Sequence, residues 1–269
     1  MIRNTLKLTQ LATYSVDLPD QNIRGMPSPT GTGFFVSTDG WFITAAHVIT
    51  KNGRADGPVR GDIDQAWLMK EARPGEFMRG MCQAVSFEYI DPPTDFALLK
   101  VDFAANADKD YLRDRSGFPY IEVSCRDLEE GEPVYAFGYP LSEANLAVNN
   151  QNMVIGHSAH SPRVTSAIVA STMESTKMFS SSEDVKVYVL DKALNYGNSG
   201  GPIIATDTGK VHAICSHFQP IYIPQQHHKD SKGKPLWIMI PSLYGIVSSL
   251  SNSRILEQLR LRGIPISDH

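Results

Sequence analysis

The sequence predicts an all-β protein, either a sandwich or a pair of barrels, and three observations carry that prediction. Apolar runs of about five residues recur between Thr9 and Phe218, each bounded by Gly, Pro, Asn, Asp or Ser. Helical periodicity is scarce until the last residues. The 269 residues are 42% hydrophobic and 20% charged, which is the composition of a globular chain long enough to bury its core without staples.

Taken in order, the first strand is Gly33–Ser37, ended by Thr38-Asp39-Gly40, and Trp41–Thr44 follows. Gln65–Met69, Ala84–Tyr89 and Phe96–Val101 complete the first half. A charged run, Asp127–Pro133, contains Gly131 and precedes a fresh set of strands, so the chain divides into residues 1–130 and 131–269. The second set is Val134–Gly138, Val164–Ser171, Val185–Leu190, Pro202–Ala205 and Val211–Ser216. Asn52–Asp64, Leu141–Pro162 and Gln225–Pro235 are polar enough to read as loops. A final helix, capped by Ser253, places Ile255, Leu256 and Leu259 on one face and stops at Gly263 and Pro265.

Charge and cysteine usage exclude several classes. Lys and Arg number 25 against 29 Asp and Glu, for a net charge of −4, so the basic footprint of a nucleic-acid binder is missing. Cys82, Cys125 and Cys215 are far apart and odd in number, with neither zinc spacing nor a disulfide framework. The adjacent His227 and His228, and likewise His157 and His160, read as loop histidines rather than ligands, so neither metal nor cofactor is expected. The start Met1–Gln10 is broken by polar residues, and no apolar run approaches the length of a membrane span. These features predict a cytoplasmic protein that binds neither nucleic acid nor membrane.

Three motifs carry chemistry. Gly197-Asn198-Ser199-Gly200-Gly201-Pro202 surrounds a serine with residues of wide backbone freedom, which suits an accessible nucleophile and equally suits a turn between strands. Thr44-Ala45-Ala46-His47-Val48 sets a histidine among small residues directly after a strand, as a general base or as a structural histidine. Thr94-Asp95-Phe96-Ala97-Leu98-Leu99-Lys100 opens an apolar strand on a carboxylate, which can hold a histidine tautomer or simply end a turn. Asp91 and Asp102 lie close by but do not open that strand. Together the three give the order His, Asp, Ser, which separates this chain from the α/β-hydrolase and subtilisin orders.

These motifs, with Gly31-Thr32-Gly33-Phe34-Phe35-Val36, Gly131–Pro140 and Val164–Val169, resemble the trypsin-like serine peptidases, specifically their HtrA/Deg-type bacterial branch. The resemblance runs from about Thr30 to Leu259. It implies two perpendicular six-stranded antiparallel β-barrels and a C-terminal helix, with His47 and Asp95 on the first barrel and Ser199 on the second. Ser199 would be the nucleophile, His47 the base and acid, and Asp95 its orienting carboxylate, with the oxyanion on the amides of Gly197 and Ser199. Ala193 would sit at the base of the primary pocket, which disfavours a basic side chain, unless Asp191 swings in. The strand Ala213–Phe218 would pair with substrate, making Ser216, His217 and Phe218 contact residues, with His217 either reading an acidic side chain or merely flanking the strand.

Asn198 stands where zymogen-type relatives carry an Asp, so activation by a new N-terminus is not expected. Restraint is expected instead from the segments Leu141–Pro162 and Met173–Lys192, ordered by substrate or by an activating protein partner. The resulting expectation is a serine endopeptidase acting through an acyl-enzyme on a restricted intracellular protein target. A silent peptide-binding scaffold and an esterase with the same three residues are the alternatives.

Overall fold

The computed structural model describes residues 2–19, 27–70, 79–82, 84–107, 112, 114–140, 143–148, 154–175, 185–229 and 231–268. Helix α1 (Ile2–Ala12) opens the chain where no helix is expected. Its inward stripe is Leu6, Thr9 and Ala12, so a threonine interrupts the apolar period. Thr9 is satisfied there, its hydroxyl donating to the Thr5 carbonyl and meeting the Tyr135 hydroxyl at 3.3 Å.

The first half then lays down β1 (Thr13–Pro19), β2 (Pro27–Phe35), β3 (Trp41–Ala45), the single turn α2 (Ala46–Ile49), β4 (Trp67–Lys70), β5 (Arg79–Cys82), β6 (Val85–Asp91) and β7 (Phe96–Val101). These strands form one antiparallel sheet in the order β5-β4-β1-β2-β3-β7-β6. Seven strands therefore stand where six are expected, and among the described residues no ladder joins β5 to β6. The sheet wraps an aromatic core in which Phe35 stacks on Phe118 at 4.0 Å and meets Tyr14 and Phe42 edge-on.

The second half runs β8 (Val123–Ser124), β9 (Pro133–Gly138), β10 (Glu143–Val148), β11 (Val154–Ala159), β12 (Arg163–Ser175), β13 (Val185–Leu190), β14 (Pro202–Ala205), β15 (Val211–Lys229), β16 (Pro235–Ser249), α3 (Ser253–Leu261) and β17 (Ile266–Ser267). Strands β14-β9-β12-β13-β16-β15 pair in that order, and β15 returns to β14, so this sheet closes as a six-stranded barrel. Closure leaves no free edge in the ring. Its core is separate from that of the first sheet, while a third cluster joins them: Phe34, Ile43 and Phe96 from one side, Ile204, Ile214, Ile255 and Leu259 from the other.

Two of the three expected loops are strand pairs. Residues 143–148 and 154–159 of the stretch Leu141–Pro162 form the hairpin β10–β11. Gln225–Pro235 is the far end of the β15–β16 ribbon, which pairs from Pro220↔Pro241 to Lys229↔Pro235. Cross-strand pairing outweighs the polar composition in both. Asn52–Asp64 lacks strands and includes short 3-10 turns. Helix α3 appears as expected, but Asn252 rather than Ser253 precedes its first turn. The Asn252 side chain is turned away to accept the Lys186 amide at 3.0 Å.

One buried strut crosses between the halves. His160, expected in a solvated loop, lies only 4% exposed with Nε2 2.7 Å from Asp17 on β1, whose other oxygen accepts the Ser15 hydroxyl at 2.7 Å. Burial of a carboxylate requires such partners.

Candidate active site

Asp95 is held in place by its backbone before its side chain acts. It follows the single 3-10 turn Pro92–Thr94 and takes a left-handed conformation (φ 52°, ψ 35°), which is uncommon for a residue with a Cβ. Its amide donates to Pro92 and its carbonyl accepts the Ala46 amide at 2.8 Å, tying β7 to the residue before His47. The carboxylate, fully buried, accepts twice from His47: the backbone amide at 2.9 Å on Oδ1 and the ring Nδ1 at 2.7 Å on Oδ2. Asp91 is engaged elsewhere, with Thr94 and Arg254, and Asp102 accepts the Ala104 amide.

The Ser216 hydroxyl donates to the same Oδ2 at 2.5 Å, and its oxygen lies 2.5 Å from Nδ1 of His217. A hydroxyl has one proton, so His217 donates in turn and its Nδ1 carries hydrogen. A bulge makes this reach: the β15 register shifts between Cys215 and His217, leaving Ser216 between paired positions. The two imidazoles lie 5.5 Å apart, centroid to centroid, on either side of one carboxylate.

The electrostatics follow from this crowding. Burial pushes the Asp95 carboxyl up, but the two histidines and the Ser216 hydroxyl outweigh it and hold the group below the usual carboxylate range. Burial pulls the His47 ring down, yet the charge and hydrogen bond of Asp95 leave it above its ordinary value. His217, also pulled down by burial, is only partly supported by Asp95 and opposed by His47, and it ends below its ordinary value. With Nδ1–H committed to Asp95, Nε2 is the basic nitrogen of His47.

Ser199 lies between β13 and β14 in a loop that glycine makes possible. Gly200 has φ +81°, and a Cβ there would collide with the Thr32 carbonyl and the Ala45 amide. Gly197 has φ +92°, and a Cβ would stand 2.5 Å from the Tyr139 carbonyl oxygen. The Ser199 carbonyl accepts the Thr32 amide at 2.7 Å, the Asn198 carbonyl accepts the Gly201 amide at 2.7 Å, and the Gly200 amide donates to Cys215 at 2.7 Å. Among the described residues, the amides of Gly197 and Ser199 donate to no protein acceptor, and no hydrogen bond links the Ser199 hydroxyl to His47.

A cleft of about 490 Å³ gathers His47, Gly197, Ser199, Ser216 and His217 on one wall set. Ala193 does not line it; Leu194, Asn195, Tyr196 and Cys215 do. Asp191 is turned away, accepting the Ile168 amide at 2.8 Å, and the described lining contains no carboxylate. Phe218 pairs through its backbone with Gly245, and its side chain falls outside the described residues, as do those of His157, His227 and His228. Thr30, Tyr139 and the Leu194–Tyr196 run are cleft residues that the sequence reading did not single out. Thr30 and Leu194–Tyr196 adjoin Gly31 and Gly197 in the chain, and Tyr139 falls within the Gly131–Pro140 motif.

Comparison with known proteins gives the same outline. The chain is 27% identical over 224 residues to the serine protease HTR4 of Bos taurus, covering 78% of this chain and 37% of the relative. It is 27% identical over 239 residues to the serine protease HTRA1B of Danio rerio, covering 83% and 40%. The chain thus spans about two fifths of those relatives. The fold matches the HtrA-type protease AlgW solved with a decapeptide, with a TM-score of 0.57, 17% identity, and coverage of 97% of this chain and 66% of that one. A variant of the same protease solved with a tripeptide gives a TM-score of 0.55. A family model for the trypsin-like peptidase domain matches residues 31–214, and the chain belongs to the trypsin-like peptidase family.

Proposed function

We propose that the protein is a serine endopeptidase in which Ser199, His47 and Asp95 act together. The observation that carries this reading is the His47–Asp95 pair at 2.7 Å, set in one cleft with Ser199 and two unengaged loop amides. A serine alcohol needs a base to become a nucleophile at neutral pH, and a raised imidazole with its tautomer fixed is that base. Ser199 Oγ attacks the scissile carbonyl as its proton passes to His47 Nε2. The charge that develops on the carbonyl oxygen is met by the amides of Gly197 and Ser199, each such donor being worth about 3–4 kcal/mol of barrier. His47 then protonates the leaving amine, and water, activated by the same ring, releases the acyl group from Ser199.

Substrate would lie as an added strand along Ser216 and His217, where the bulge leaves β15 facing the cleft. A cleft wall of Leu194 and Cys215 without a carboxylate favours a small or apolar side chain before the cut bond and disfavours Lys or Arg. The peptides bound to AlgW, a structural neighbour, agree with a protein or peptide substrate. The absence of a resting Ser199–His47 bond fits a pair completed by substrate or by an activating partner. Of Leu141–Pro162 and Met173–Lys192, where ordering by such a partner is expected, residues 143–148, 154–159, 173–175 and 185–190 already form strands, and 141–142, 149–153 and 176–184 lie outside the described residues. A reducing, cytoplasmic compartment is included in this reading.

The test is to incubate cell lysate with the protein or with its Ser199→Ala variant and map new N-termini by mass spectrometry. New termini following small or apolar residues, present only with the unaltered serine, are expected. The same termini in both samples, or none in either, would overturn the proposal. Hydrolysis of an ester but never of the amide with the same acyl group would assign an esterase instead.

A further inference from the structure

Thr32, on β2 of the first sheet, has no exposure and spends its polar atoms on the loop that carries Ser199. Its amide donates to the Ser199 carbonyl at 2.7 Å, and its hydroxyl donates to the Gly197 carbonyl at 2.6 Å. The hydroxyl oxygen accepts the Tyr139 amide at 3.0 Å, and the Thr32 carbonyl accepts the Thr44 hydroxyl at 2.7 Å. One proton given and one taken exhausts what the hydroxyl does here.

The bonds fix successive peptide planes. The plane joining 197 to 198 is held by Thr32 Oγ1 at its carbonyl and by Asn195 at its amide. The plane joining 198 to 199 is held by the Gly201 amide, and the plane joining 199 to 200 by the Thr32 amide and the Cys215 carbonyl. Gly197 is the weak point of this series. Glycine has no Cβ to bias φ and ψ, so its setting at φ +92° must come from what its neighbours hold. On its carbonyl side, the hold is the Thr32 hydroxyl, together with the longer bond from the Asn198 amide to Asn195.

We propose that Thr32 is a positioning residue for the oxyanion site, its hydroxyl anchoring the 197–198 plane at the Gly197 carbonyl and so limiting the rotation about Gly197 that sets the direction of its amide, which lies in the preceding plane. This rests on the reading of Ser199 as nucleophile given above. It also makes the oxyanion geometry depend on how the two sheets seat against each other, because the clamp comes from the first and the loop from the second.

The test uses the full chain and an alkyl fluorophosphonate, comparing the wild type with Thr32→Val and Thr32→Ser. Valine keeps the branch and the backbone amide bond but lacks the hydroxyl, whereas serine keeps the hydroxyl. Thr32→Val is expected to slow phosphonylation of Ser199 at saturating reagent by up to about 10²-fold, the cost of a small misplacement of a catalytic donor. The half-saturating reagent concentration stays within about twofold, and Thr32→Ser recovers to within about threefold of wild type, a pattern that a general loss of stability would not give. If the valine variant does not fold, Thr32→Cys, with a thiol that donates weakly, carries the same expectation. Equal rates in wild type and Thr32→Val would overturn the inference, as would a serine variant as slow as the valine one. A wild type that never reacts would overturn the functional reading itself, a failure distinct from that of Thr32 alone.

Discussion

At the Asp95 Oδ2 atom, two donors share one oxygen, His47 Nδ1 and the Ser216 hydroxyl, while His217 Nδ1, bonded to Ser216, lies 3.7 Å away. This sharing has a pH consequence. A general base works only when unprotonated, and the His47 ring binds its proton up to a pH above the ordinary histidine value. Reactivity of Ser199 should therefore fall on the acid side with a midpoint above about 6.5. In Asp95→Asn the raising charge is gone and burial remains, so the midpoint should move below that value while the rate drops by about 10⁴-fold. Fluorophosphonate inactivation rates between pH 5 and 9 measure both; an unmoved midpoint would contradict the assignment. That His47 meets Asp95 and that Ser199 shares their cleft could be expected from three local motifs and their chain order, while their joint action is the proposal. Thr32 and Ser216 lay in segments that the sequence singled out, but the Thr32 hydroxyl's bond to a carbonyl 165 residues away and the Ser216 bond to Asp95, 121 residues away, were not legible. His160 had no local signal at all, because Asp17 lies 143 residues distant.

Among the elements, β1 and the nucleophile loop carry the sharpest consequences. β1 is buried throughout, although Thr13, Ser15 and Asp17 break its apolar pattern. That alternation of polar and apolar residues would place one face in solvent, but the second half covers it, with the Tyr139 hydroxyl on the Thr13 carbonyl at 3.2 Å and His160 on Asp17. Replacing His160 by Leu removes the partner of a buried carboxylate and should cost about 3–5 kcal/mol in urea unfolding, with a loss under about 1 kcal/mol contradicting the strut. Gly200→Ala should abolish fluorophosphonate reaction, because a Cβ at φ +81° enters the Thr32 and Ala45 backbones. Wild-type reactivity in that variant would show that the loop geometry is wrong. Strands with strong apolar runs, such as β3, β7 and β14, are readable directly. Helix α1, with Thr9 in its inward stripe, and the polar hairpins are not, because tertiary partners decide them.

On the scale of the whole molecule, the cleft exists because two sheets share a core. Phe34, Ile43 and Phe96 pack with Ile204, Ile214, Ile255 and Leu259, so loosening one sheet loosens the other. Leu259→Ala should cost about 2–5 kcal/mol and shift a single unfolding transition, with the fluorescence of Trp41, Trp67 and Trp237 and the far-ultraviolet signal moving together. Two separated transitions would mean that the halves fold independently. Two sets of strands were legible from strand spacing, but the boundary expected at Asp127–Pro133 leaves β8 (Val123–Ser124) on the first side, while its partners β15 and β17 belong to the second sheet. The closed six-stranded second barrel is what the resemblance implies, but the seventh strand of the first sheet was not legible, since ladder order is set by long-range pairing that no local pattern encodes.

The reactivity of one alcohol tests the account most directly. After treatment with an alkyl fluorophosphonate, in purified form and in lysate, peptide mass mapping should place a single phosphonyl group on Ser199, and His47→Ala should remain unmodified. Modification at another residue, equal modification without His47, or none under either condition would contradict it.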